Sequence, residues 1–141
     1  GGVMDATLRD LLEAPPATET FTLAPGVELT LRGAASYARI QALHAEAEAL
    51  RRLQAVRPLT CGGETVEVTE DTCNAAVLLA SGAVEPSLSV SDALRIAHRF
   101  PLKFVAAVQV VARLSGAEIA AQTDAAAREL GANPTEPPVS G

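Results

Sequence analysis

NAAVLLASGAVEPSLSVSDALRIAHRFPLKFVAAVQVVARLSG, residues Asn74 to Gly116, carries three apolar patterns at helical spacing around a short acidic-proline joint. The first runs through Leu78-Leu79 and stops near Gly82. Thr69 is placed to cap its start, where Glu70 and Asp71 complement the positive end of the helix dipole. Glu85-Pro86-Ser87 forms the joint. Ser89 opens the second helix with Asp92 three residues on, the spacing of a capping box. Pro101 suits the first turn of the third, where a missing N–H costs nothing. That helix carries Phe104, Val105, Val108, Val111 and Leu114, and Ser115-Gly116 reads as its end.

Upstream, Gly33 to Ala55 reads as one helix. Tyr37, Ile40, Leu43, Ala47, Leu50 and Leu53 recur at three- and four-residue steps and make one apolar stripe. Glu48 precedes Arg52 by four residues, as in a solvated ion pair. Pro58 closes the element. Before it, Thr20 to Arg32 alternates apolar and polar residues with period two, the mark of a half-buried hairpin. Its turn, Ala24-Pro25-Gly26-Val27, has type II chemistry. A second, shorter hairpin fits Leu59 to Val68, hinged on Gly62-Gly63.

The ends read differently. Gly1-Gly2-Val3 before Met4 has the look of a protease scar, and Asp5 to Glu13 of a short helical arm with Leu8, Leu11 and Leu12 on one face. Ala14-Pro15-Pro16-Ala17-Thr18 breaks that arm. Ser115 and Glu118 suggest a further Ala-rich helix reaching Leu130, before Gly131 and a Pro-rich tail that reads as disordered. The expected organisation is an arm over 1–19, a domain over 20–131 and a tail over 132–141. The expected class is α+β, predominantly α, with four to six helices and one or two antiparallel hairpins towards the N-terminal half.

With 141 residues the chain supports one core, and its apolar share is mostly Ala and small aliphatics. Its net charge is −6, with a single Lys, and Arg51-Arg52 is its longest basic run. Duplex nucleic acid and anionic membranes are bound through clustered cations, so neither is expected as a partner. Apolar runs fall far short of the ~20 residues that span a bilayer, and a cytoplasmic setting follows as the expectation.

Candidate reactive groups each have a plainer explanation. Cys61 could act as a nucleophile with His44 or His98 as base, but a turn-edge Cys packing as a small hydrophobe explains it as well. Cys73 shares a helical stripe with Val77 and Ala80 and is expected in the core. His44 and Glu48 sit one turn apart and could share a metal, yet no further ligand has matching spacing. His98 beside Arg99 suits the wet side of a helix. Glu70 and Asp71 could be paired acids, but a helix start explains them without a reaction. Phosphate-loop, nucleophile-elbow, dinucleotide and zincin motifs are absent from the sequence. No cofactor is expected. Two apolar sets invite a partner-binding reading against a core-filling one: Val84, Pro86 and Leu88 around the joint, and Phe100 with Phe104.

The order hairpin, amphipathic helix, then "AAVLLASGAVEPSLSVSDAL" (Ala75 to Leu94) and an apolar helix ending in Leu114-Ser115-Gly116 resembles the tail assembly chaperones of long-tailed bacteriophages and prophages. "LAPGVELTLRG" (Leu23 to Gly33) is similar to the strand pair that opens those proteins. The likeness spans Thr20 to Gly116 in order of elements and is sharpest over Val84 to Leu94. The Cys61-Gly62-Gly63-Glu64 hairpin departs from it. The resemblance implies a non-enzymatic protein that binds the tape measure protein and helps recruit tail tube protein. It implies action in the host cytoplasm and absence from the mature virion. Self-association, or association with a longer frameshifted form, belongs to the same picture. The competing readings are a structural tail or head–tail component, a thiol enzyme using Cys61, and a bacterial regulator unrelated to phage.

Overall fold

The computed structural model describes residues 6–34 and 36–129; the side chains of residues 6, 11 and 117–129 lie outside that description. The scar, residue 35 and the Pro-rich tail fall outside it too. The elements are α1 (Ala6–Glu13), β1 (Thr18–Ala24), β2 (Val27–Arg32), α2 (Tyr37–Leu53), β3 (Thr60–Cys61), β4 (Glu64–Thr65), α3 (Glu70–Gly82), β5 (Ala83–Glu85), α4 (Val90–Arg99) and α5 (Pro101–Glu129). The class is α+β, predominantly α, as expected.

β1 and β2 pair antiparallel, with Phe21 opposite Leu29 and Glu19 opposite Leu31. Gly26 takes φ +79°, which the type II turn requires and which a side chain would resist. Leu23, Leu29 and Leu31 are buried on the inner face, whereas Val27 at the turn is exposed. Each buried leucine contributes on the order of 1.5–3 kcal/mol. β5 adds a third strand, giving the order β1-β2-β5. The sequence reading stops a helix near Gly82 and places a joint at Glu85-Pro86-Ser87, and so misses this strand. Three residues straight after a helix are too few to show alternation.

α5 lies along the inner face of the sheet. Lys103 Nζ sits 5.9 Å from the centre of the Phe21 ring. Further along, Arg113 donates to both carboxylate oxygens of Glu19 at 2.7 Å. Ser115 Oγ then accepts from Ala34 N–H at 2.6 Å and donates to the Val111 carbonyl at 2.8 Å. This corrects the expected break at Ser115-Gly116. Ser115 is not a cap there; its hydroxyl bonds back one turn and clasps the end of β2, and one helix continues to Glu129.

α3 is the central element. Cys73, Ala76, Val77, Leu79 and Ala80 are buried, and Leu79 is completely sealed. Its cap is a reciprocal pair: Thr69 Oγ1 accepts from Thr72 N–H, and Thr72 Oγ1 accepts from Thr69 N–H. At its other end a Cβ on Gly82 would lie 2.6 Å from the Arg32 carbonyl and 2.6 Å from a Val111 methyl. Three elements cross where only hydrogen fits.

α4 begins with the expected box, Ser89 Oγ accepting from Asp92 N–H and Asp92 Oδ2 from Ser89 N–H. Glu46 of α2 adds an acceptor for Val90 N–H at 2.7 Å, a long-range cap that local spacing does not reveal. α2 is shorter than the expected helix. Leu43 and Ala47 are buried and Ile40 and Leu50 half-buried, but Tyr37 and Leu53 at its ends are exposed. The stripe outruns the core it serves.

β3 and β4 pair across Gly62-Gly63, with φ +59° and +82°, the two positive values of a primed turn. Gln54 spans this hairpin, donating to the Val66 carbonyl at 2.9 Å and accepting from Leu59 N–H at 3.3 Å. Arg95 Nε donates to the Thr60 carbonyl, and His98 Nε2 meets Glu64 Oε1 at 3.2 Å.

Candidate functional site

α2 and α3 run antiparallel and leave an open groove between them. Its apolar end is a hollow of ≈ 300 Å³ lined by Ile40, His44, Asn74, Val77, Leu78 and Ser81. A polar hollow of ≈ 200 Å³ adjoins it, sharing His44 and Asn74 and adding Ala47, Glu48, Arg51, Glu70 and Cys73. The two together follow the seam at helical spacing: Ile40, His44, Ala47 and Arg51 on one wall, Glu70, Asn74, Val77 and Ser81 on the other. Such a channel accepts a ridge of side chains from a further helix.

The groove's charges engage each other. Glu48 accepts from Arg51 at 3.5 Å and pairs with Arg52 at 3.4 Å. Among the described residues no group of three His, Cys, Asp or Glu side chains could hold a metal ion. Cys73 lines the floor and is buried. Burial pushes its thiol pKa up, the Arg51 guanidinium opposes that shift and Glu48 adds to it. A thiol held neutral in this way is a poor nucleophile.

Cys61 lies elsewhere, on β3 against α4. Its sulfur is half-buried and directed at the Arg95 carbonyl, 4.0 Å away. His98, one of its two expected bases, engages Glu64 instead, and His44 lies on the α2–α3 seam. Glu70 and Asp71 occupy the first turn of α3 and are exposed. A third hollow of ≈ 230 Å³ lies between Val66 and Glu67, Thr72 of α3, and Leu94, Ala97 and His98 of α4.

The sequence-predicted partner residues divide. Val84 and Phe100 are exposed at 45% and 37%, and Pro86 is exposed as well. Leu88 and Phe104 are buried at 7% and 6% and belong to the core, so neither lines an open surface in this structure. Leu102 and Val105 of α5 stand out instead, at 85% and 52%. The α2–α3 groove was missed. Its one local signal was Ile40 and Leu78, each apolar but at the margin of its helical stripe. Which two stripes would face each other is a matter of tertiary packing. No helix of the described residues is long and apolar enough to cross a membrane. No family model matches the sequence, and no curated protein or solved structure is significantly similar to it.

Proposed function

We propose that this protein is a helix-binding assembly chaperone of the phage-tail type, which covers apolar stripes of the tape measure protein and assists recruitment of tail tube protein in the host cytoplasm. The observation that carries the reading is the α2–α3 groove, an open channel with half-buried Ile40 and Leu78 over buried Val77 at one end and charged side chains at the other. A client helix would place its apolar ridge against the first and its polar flank against the second. The exposed Val84, Phe100, Leu102 and Val105 offer further apolar area. The net charge of −6 favours solubility of a complex whose client is otherwise prone to associate. The order of elements over Thr20 to Gly116, and the Val84–Leu94 segment above all, is what points to phage tails in particular. The role is binding, with no bond made or broken. Co-expression with a phage tape measure protein tests this: the client's soluble yield should rise and the two should co-purify. Client that stays insoluble, with no co-purification, would overturn the reading.

A further inference from the structure

α1 is an amphipathic helix, and its Leu8 and Leu12 are exposed one turn apart. The α2–α3 groove has an apolar end lined by Ile40, Val77 and Leu78. The topology tethers one beside the other. Thr18, where the chain leaves the arm, pairs with Arg32. β5 pairs with β2 from the other side, and Gly82, next to groove-lining Ser81, abuts the Arg32 carbonyl. Two strand spacings, about 10 Å, thus separate Thr18 from Gly82, where α3 ends beside the groove. Ala14 to Ala17 can span ~13 Å when extended, and the residues before Pro15 and Pro16 favour extension.

We propose that α1 is a built-in strap for this groove: it folds back in its own chain and seats Leu12 near Ile40 and Leu78, with Leu8 near His44 and Asn74. The Leu8–Leu12 repeat is one helical turn, as are Ile40–His44 and Asn74–Leu78, so the stripes match in period. With its tether at the Ser81 end, α1 would lie parallel to α3. The strap shields the apolar end until a client helix with a longer stripe displaces it. This deepens the chaperone reading and rests on it for the identity of the competitor, but strap closure itself needs no client.

The test is a cysteine pair in the full chain: Leu8→Cys with Asn74→Cys, in a Cys61→Ser background, oxidised at low protein concentration. Both sites are exposed, so the core is untouched. An intrachain disulfide, seen as a faster-migrating monomer on a non-reducing gel, supports the strap. Adding Leu12→Glu should reduce its yield about tenfold, the factor expected on losing one buried leucine. A dimer-sized band would show arm exchange between copies and overturn the proposal, as would no cross-link at all. Should the pair fail to fold, a spin label on Leu8→Cys alone gives a second measurement: the amide signals of Ile40, Val77 and Ser81 should broaden, and unchanged signals would overturn it. A cross-link that forms while client co-purification fails would sink the chaperone reading and leave the strap standing.

Discussion

The two hairpins are held by opposite means. β1–β2 buries Leu23, Leu29 and Leu31, gains β5 as a third strand and lies under α5. β3–β4 has two residues per strand, and its best anchored side chain, Val66, lies just beyond the second of them. It is fastened by two bonds from Gln54 and one each from Arg95 and His98. One hairpin is part of the core; the other is clipped to its surface. Area burial scales with the number of apolar groups, whereas a polar clip fails when one partner is lost. The first hairpin should therefore melt with the whole domain and the second should open alone.

The largest effect should come from Leu31→Ala. Leu31 is completely buried, and its truncation should cost ~2–5 kcal/mol in urea denaturation, with both hairpins lost in one transition. A variant that lost β1–β2 and kept the helices would break the comparison. Gly82→Ala comes next, at about 1–3 kcal/mol or more, because the carbonyl of Arg32 is backbone and cannot swing aside. Gln54→Ala leaves the Val66 carbonyl and Leu59 N–H without their partner, a loss of ~1–3 kcal/mol. Its signature should be local: faster amide exchange over residues 59–66 with β1–β2 protection unchanged.

Much of the frame is legible in the sequence. The Pro25-Gly26 and Gly62-Gly63 turns demand backbone angles that few residues accept, so they announce themselves. Ser89 with Asp92 satisfies a helix start locally, and Pro101 opens a helix for the same local reason. What was illegible is long-range. Nothing near Glu46 says that it caps a helix starting at Val90, and nothing near Glu19 names Arg113. Ser115-Gly116 misled because a terminator signal is worth only about 1 kcal/mol, and packing along the sheet outweighs it. The candidate groove was illegible for a related reason: Ile40 and Leu78 are marginal on their own helices and become a channel only when the two are laid side by side.

Smaller effects sharpen the comparison. The two thiols should differ in access: Cys61 should react with a maleimide in the native protein, and Cys73 only on unfolding. Cys73 also sets a pH dependence. Its folded pKa is raised, so the folded state keeps its proton after the unfolded chain begins to release it at its ordinary value of 9.0. Stability should thus be level below about pH 9 and fall above it, and Cys73→Ala should flatten that slope. The smallest effect belongs to Arg113→Ala. Its pair with Glu19 is bidentate but exposed, and should be worth ~0.2–1 kcal/mol, less in high salt.

Glu46 stands between groove-lining His44 and Ala47, yet its carboxylate holds the first turn of α4. An outward roll of α2 would stretch that bond. Width of the channel and seating of α4 then behave as a single mechanical variable, like two wheels on one axle. Movement of α2 on one side of the molecule would be felt on the other, at the corner where Phe100 turns the chain into α5.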